Sequence, residues 1–252
     1  MKPRVSYRPI VQGVAVLCAF SLLVALGVWQ LERREWKNSL IERFETGLSR
    51  PPVQYQPPAT GNDATGREFM RVTLRGQFDN AGTIKVLSPA PEAARAKTRE
   101  GYGYNLFTPL RFGNGIVFVD RGFVPASLAE SKSLFAEGET EITGIVRLPG
   151  KASWFAPPND TAKRLFFAPD IPSMAALDGI SGKQAVSTEY IQAEPAAQAA
   201  LWPQARDPHE LLASIPNSHL EYALTWFALA AALLGVCIGY YAGLLDAKVK
   251  EA

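Results

Sequence analysis

Only two cysteines and two histidines occur in the 252 residues, and both cysteines, Cys18 and Cys237, fall inside long apolar runs. The polar body between those runs holds no thiol, which excludes a disulfide framework and any CxxC metal or redox motif there. Charge of one sign is equally scarce. The net charge is +2, so no basic face advertises a nucleic-acid partner. Also missing are a GxSxG elbow, an HExxH pair and a phosphate-binding glycine-rich loop. Both imidazoles, His209 and His219, lie near one end of the body, so a serine nucleophile elsewhere has no base. Carboxylates are plentiful, but their spacing assigns no acid and base pair. An enzyme is not expected, and stability must come from an ordinary apolar core, which this length can supply.

What is present in abundance is apolar length. Ile10 to Leu31 and Ala223 to Leu245 each run more than twenty residues without a charge, enough for a helix rising about 1.5 Å per residue to cross roughly 30 Å of hydrocarbon. Lys2, Arg4 and Arg8, with Ala25-Leu26-Gly27, have the form of a cleaved signal peptide. The run is too long for one, and Trp29-Gln30 leads on into an apparent helix, so an uncleaved anchor is expected. The amino tail carries three basic and no acidic residues, whereas residues 31 to 222 hold 21 basic and 22 acidic side chains. Basic flanks stay on the cytoplasmic side. Arg33, Arg34 and Lys37 beyond the first span weaken that bias, and Glu32 and Glu35 partly balance them. The expected organisation is a cytoplasmic tail at 1–9, a transmembrane helix at 10–31, an extracytoplasmic β-rich domain at 32–222, a second transmembrane helix at 223–245 and a tail at 246–252. Both termini then face the cytoplasm. The short amino tail, lacking an Arg- and Ser-rich presequence, points to a bacterial inner membrane with a periplasmic domain more than to an organelle.

Past the first span, Trp36, Leu40, Ile41, Phe44 and Leu48 keep one helical face apolar, so the helix continues outward and ends before Pro51-Pro52. A Pro-, Gly-, Asn- and Asp-rich loop runs to Gly66. Alternation predicts a strand over Met70–Gly76, pairing with Thr83–Leu87 across Asp79-Asn80-Ala81-Gly82. Pro91 to Glu100 reads as an exposed loop. Strands over Tyr104–Phe112 and Ile116–Val124 meet at Gly113-Asn114-Gly115, a strong hairpin signal. A short helix over Ser127–Phe135 and strands over Glu141–Leu148, Arg164–Phe167 and Ala185–Gln192 follow, with a short helix near Ser173–Leu177. The only biased tract is the alanine cluster near 193 to 200. The fold class is an integral membrane α+β chain: two transmembrane helices flanking one β-rich, antiparallel, barrel-like domain.

Motifs at the ends and in the middle carry a family resemblance. Gly27-Val28-Trp29-Gln30-Leu31-Glu32-Arg33-Arg34-Glu35-Trp36-Lys37 stands at the outer end of the first span, and Asn217-Ser218-His219-Leu220-Glu221-Tyr222-Ala223-Leu224-Thr225-Trp226-Phe227 at the start of the second. Between them come Gly103-Tyr104 through Thr108-Pro109-Leu110, then Val119-Asp120-Arg121-Gly122-Phe123-Val124-Pro125, then Pro158-Asn159-Asp160 leading to Phe166-Phe167 and Asp170. In this order, over essentially the whole chain, they resemble the surfeit locus protein 1 family, membrane proteins that assist assembly of cytochrome c oxidase. Phe123 stands where that family often has Trp, and Phe167 lies in an aromatic position usually richer in Trp.

The resemblance implies a role in delivering or holding haem a while the core oxidase subunit is built, with that subunit, the haem a synthesis machinery and the bilayer as partners. The alternative is a haem-independent chaperone that stabilises the immature subunit. Haem iron needs an axial donor such as neutral imidazole, within apolar or aromatic walls. His209, in Asp207-Pro208-His209-Glu210, suits a solvated loop or a helix start. His219 is better placed, because His219, Tyr222 and Trp226 follow i, i+3, i+7 along one helical face. Ser218-x-x-Glu221 has the form of a capping box that starts the helix at His219, where the dipole favours neutral imidazole. From the first span, Trp29 and Arg33, with Arg34 and Lys37 nearby, are the candidate aromatic and propionate-pairing contacts. The competing account is plain interfacial anchoring for Trp29, Trp36, Tyr222 and Trp226, and lipid headgroups for the basic residues. Arg121 to Pro125 has two readings, a backbone turn that needs Gly122 or a partner surface, of which the first is preferred.

Overall fold

The computed structural model describes residues 8–57, 66–113, 115–131, 138–150, 154–177, 179–180, 185–196 and 201–250. Two compact units divide the chain, one of residues 1–42 with 215–252 and the other of residues 43–214. The first helix, α1 (Arg8–Ser49), runs unbroken from the apolar run into the amphipathic stretch. Two prolines at 51 and 52 stop it, since neither can continue the hydrogen-bond ladder. In its last turns Phe44 and Leu48 are buried while Glu42, Arg43 and Glu45 stay exposed.

The second unit is built on a sheet that closes on itself. Its strands are β1 (Val53–Gln54), β2 (Arg71–Phe78), β3 (Ile84–Pro89), β4 (Tyr102–Phe112), β5 (Gly115–Pro125), β6 (Glu139–Arg147), β7 (Leu165–Phe166) and β8 (Ala185–Ala193). Pairing runs β2–β6–β8–β5–β4, and β4 returns to β2 through Gln77 opposite Arg111 and Phe78 opposite Leu110. Five strands thus form a closed barrel. Alternating strand direction cannot be completed around a ring of odd number, so at least one junction must be parallel. That junction is β5–β8; the other four are antiparallel. The expected antiparallel barrel is therefore mixed at this seam, and again where β1 joins β2 and β7 joins β3.

The expected hairpin of β2 with β3 does not form. A 3-10 turn at Asn80–Gly82 carries the chain along β4, so that β3 pairs with Tyr102–Phe107 and the end of β2 with Leu110–Arg111 of the same edge. The two strands lie end to end along β4 because the barrel needs the other edge of β2 for β6. Thr83 and Thr108 hydroxyls share a 3.0 Å hydrogen bond at the step, and the Asp79 N–H donates to the Pro109 carbonyl at 2.8 Å.

Inside the barrel lie Tyr55, Val72, Leu74, Leu110, Val117, Val119, Val146 and Ile191, each buried Val, Leu or Ile contributing about 1.5–3 kcal/mol. A second cluster covers the outer face. Phe107, Phe118, Phe166 and Tyr190 pack there with Ile171 and Met174 of a helix, α3 (Ile171–Leu177). With apolar partners on both faces, β5 is buried along nearly all its length, as continuous apolar strands are.

Pro91 to Glu100 is a helix, not an exposed loop: α2 (Glu92–Thr98) is closed by Arg99 in the left-handed conformation. Its alanines favour helix, and Ala94 is buried against Ala90 and Phe123, which fixes it in place. The helix expected over Ser127–Phe135 appears as a 3-10 turn at Ala126–Leu128, and residues 132–137 lie outside the described residues. So do residues 1–7, 58–65 of the expected loop, Asn114 of the hairpin turn, and 197–200 of the alanine tract. The β4–β5 pairing that the hairpin signal implies is present.

One irregularity places charge in the interior. Ile116 pairs with Val186 and Phe118 with Tyr190, so β8 carries two extra residues opposite Val117. This bulge turns Ser187 and Glu189 inward, as bulges re-aim side chains. Glu189 is 0% exposed. An Arg67 guanidinium nitrogen lies 3.1 Å from its carboxylate, and the Tyr55 hydroxyl donates to Ser187 Oγ at 3.1 Å. Burial raises the Glu189 pKa above the ordinary carboxylate value, with Arg67 and Tyr55 opposing, and pushes the Tyr55 phenol upward.

The chain ends with α4 (Pro208–Ala213) and α5 (His219–Lys250). His209 sits at the start of α4, its N–H donating to the Asp207 side chain at 2.8 Å, the helix-start role expected of it.

Candidate functional site

α1 and α5 are each long and apolar enough to cross a membrane, and little of either apolar window is buried. A core helix would be mostly covered; these are not. Gly27 brings α1 close to α5: a Cβ there would lie 2.5 Å from the Phe227 ring. On α5, Ala223 and Ala230 are buried, small residues that let two apolar helices approach.

Just beyond this approach two polar contacts link the helices. His219 Nδ1 lies 2.8 Å from Gln30 Oε1, and Asn217 Nδ2 donates to Asn38 Oδ1 at 2.7 Å. With the Gln30 amide oxygen facing the ring, the neutral tautomer that fits this contact carries its proton on Nδ1 and leaves Nε2 its lone pair. That is the tautomer in which imidazole ligates a metal through Nε2 while its other nitrogen is fixed by a carbonyl. α5 begins at His219, with the Ser218 carbonyl accepting from the N–H groups of Glu221 and Tyr222.

The other expected contacts are placed less uniformly. Trp226 is half-buried, while Tyr222 is 56% and Trp29 53% exposed. Arg33 lies over the Trp36 ring one turn on, 3.9 Å from its centroid, and is exposed; Arg34 and Lys37 are half-buried. His219 is thus joined to α1 through Gln30, and the aromatic and basic candidates flank that pair. Gln30 lies within the first motif. Its signal was present in the sequence: an amide near the end of an otherwise apolar run needs a partner.

The central motif is taken up by the fold. Gly122 has φ +114 and a Cβ there would lie 2.3 Å from the Gln204 carbonyl oxygen. Phe123 exchanges two backbone hydrogen bonds with Gln204, 2.9 and 2.8 Å, and both Phe123 and Val124 are fully buried. Asp120 is buried, accepting from Asn105 Nδ2 at 2.8 Å and from the Gly122 N–H at 3.0 Å. Burial raises its pKa, against those hydrogen bonds and the charges of Arg206 and Arg147. Arg121 donates to Asn80 Oδ1 and lies over Phe78, and burial brings its pKa down to about 10. Gly122 thus meets the backbone demand that the structural reading of this segment expects.

The model of the SURF1 family matches residues 17–231, which takes in most of α1, the whole barrel and the first part of α5. The chain belongs to the SURF1 family. It is similar to Surfeit locus protein 1 of Takifugu rubripes, 27% identical over 220 residues covering 82% of this chain and 87% of the relative. The Xenopus tropicalis protein of that name is 30% identical, covering 82% and 68% of the two chains, and the Homo sapiens protein 28%, covering 82% and 70%. The family is one of cytochrome c oxidase assembly factors. Among the described residues no three His, Cys, Asp or Glu side chains converge on a metal position.

Proposed function

We propose that this SURF1-family protein is a membrane-anchored assembly factor that holds haem a for the core subunit of cytochrome c oxidase and hands it over without covalent chemistry. The observation that carries this reading is the His219–Gln30 contact, which holds one imidazole nitrogen and leaves Nε2 to ligate, on the helix that also carries the half-buried Trp226. Haem a, when bound, supplies the redox-active iron centre that the oxidase requires. The residues of this chain orient and shield: Gln30 fixes the imidazole plane, Trp226, Tyr222 and Trp29 offer aromatic surface, and Arg33 offers a cation for a propionate. The haem a synthesis machinery is the donor and the immature oxidase subunit the acceptor. On this reading the protein sits in a bacterial inner membrane, both termini cytoplasmic and the barrel periplasmic; what supports it is the two apolar helices, long enough for membrane insertion.

Co-expression with haem a synthesis tests this. Wild-type protein and His209→Ala are expected to co-purify the cofactor, and His219→Ala to lose it. A colourless wild type that still captures the oxidase subunit would replace this reading with the haem-independent chaperone, which the outward Tyr222 and Trp29, placed as interfacial anchors, favour.

A further inference from the structure

A cleft of about 450 Å³ opens on the barrel unit, far along the chain from His219, at the sheet edge where β7 joins β3. Among the described residues its lining combines three cations, Lys85, Lys163 and Arg164, with one acid, Glu130, above the buried Leu106 and Ala129, and the exposed Lys163 ammonium also lies 3.5 Å from the Asp160 carboxylate. The charges are not arranged alike. Lys85 is recessed, its side chain 19% exposed, and its ammonium pairs with a Glu130 carboxylate that is 84% exposed. The acid that lines the cleft therefore stands at the rim and reaches inward to a recessed amine.

The second cation is held in place by backbone geometry. Arg164 has φ +51, a left-handed conformation that a non-glycine residue adopts at a cost. The tight turn before it is closed by two hydrogen bonds between Asp160 and Leu165, 2.8 and 2.9 Å, and by the Asp160 carboxylate accepting from the Lys163 N–H at 3.0 Å. That carboxylate's pKa is lowered by the Lys163 hydrogen bond. Arg164 Nε donates to the Thr83 carbonyl at 2.9 Å, and its own carbonyl accepts from Lys85 N–H at 2.9 Å, which ties the turn to β3 beside the recessed amine. A glycine or asparagine would meet the backbone demand at lower cost; the arginine adds charge to the cleft wall.

We infer that this cleft is a docking site for an acidic peptide segment of a partner protein, a glutamate or aspartate side chain entering between Lys85, Lys163 and Arg164 and displacing the exposed carboxylates that now meet Lys85 and Lys163. Glu130 shows the kind of group the cleft accepts, since it already presents a carboxylate to Lys85 and its exposure lets an incoming one displace it. Charge complementarity of this kind selects the partner and its register. The site is independent of the haem reading and stands without cofactor.

The probe is a fluorescein-labelled peptide with three glutamates around a leucine, added to the full chain in nanodiscs and followed by anisotropy, with an all-glutamine analogue as control. Wild type binds the acidic peptide, more weakly as salt rises. Lys163→Gln, an exposed substitution that leaves the fold intact, weakens binding about tenfold. Arg164→Gly weakens it similarly while the melting temperature holds or rises, since the left-handed backbone is relieved; a purely structural arginine would lower it. Glu130→Gln tightens binding by removing the internal competitor. Equal binding by the glutamine peptide, undiminished binding to Lys163→Gln and Arg164→Gly, or displacement by inorganic phosphate as efficient as by unlabelled peptide would each overturn the assignment.

Discussion

Replacing Gly122 by alanine tests whether the Arg121–Pro125 motif belongs to the fold or to a partner surface. The residue has φ +114, outside the regions open to alanine, which costs about 1–3 kcal/mol. The new Cβ would lie 2.3 Å from Gln204 O and 2.4 Å from Ala205 N, both main-chain atoms, so the 203–205 segment must move. Moving it breaks the two hydrogen bonds between Phe123 and Gln204, worth about 1 kcal/mol each. The expected loss is roughly 3–5 kcal/mol in all, which for a unit of this size lowers Tm by roughly 6–20 °C. The assay is thermal unfolding of the detergent-solubilised full chain at fixed scan rate, followed by tryptophan fluorescence, because Trp202 packs edge-on against Phe123, ring centroids 6.3 Å apart. A Tm within 2 °C of wild type, outside the expected range by several fold, would refute the conformational argument and return the motif to the partner-surface reading.

Gln30→Leu removes the acceptor for His219 Nδ1–H and is expected to weaken cofactor retention about 10–100-fold, while Gln30→Glu retains it; titration of the purified variants with haem distinguishes the two. Glu189 has a folded-state pKa above its ordinary 4.5, so its contribution to stability is complete below that value and is lost as pH rises through the raised one. Tm measured against pH should therefore slope downward over that window in wild type and flatten in Glu189→Gln; equal slopes would contradict the buried, proton-retaining carboxylate. Arg71 grips Glu194 through two hydrogen bonds, 2.8 and 2.7 Å, and Glu194 raises its pKa. Arg71→Lys, which cannot form that fork, is expected to cost about 0.5–1 kcal/mol by chemical denaturation.

Apolar length made α1 and α5 legible, because a run of that size has no other stable outcome than lipid or a large core. Alternation made β2, and the Gly113–Gly115 signal the β4–β5 pair, legible for the same local reason. Local pattern stops at pairing. β2 and β3 share an edge of β4 because the barrel needs β2's other edge for β6, a requirement set by strands some 60 residues away. The parallel β5–β8 seam follows from closing five strands into a ring, which no single strand records. Glu189 reads as an exposed strand position until the bulge opposite Val117 turns it inward. α2 was missed because its charged residues suggested solvent, whereas one alanine, Ala94, decides its burial. At the candidate site, spacing singles out His219, Tyr222 and Trp226 on one helix; the sequence marks Gln30 only as an amide in an apolar run, and its partner, 189 residues away, leaves no local trace.

The absorption spectrum of His219→Ala, purified after co-expression with haem a synthesis and then titrated with free imidazole, probes ligation at Nε2 most directly. The expected result is a variant without the haem band in which imidazole and added cofactor together restore the wild-type spectrum. A variant that keeps the wild-type band unaided would show that the iron is held elsewhere and that the His219–Gln30 pair only joins two helices.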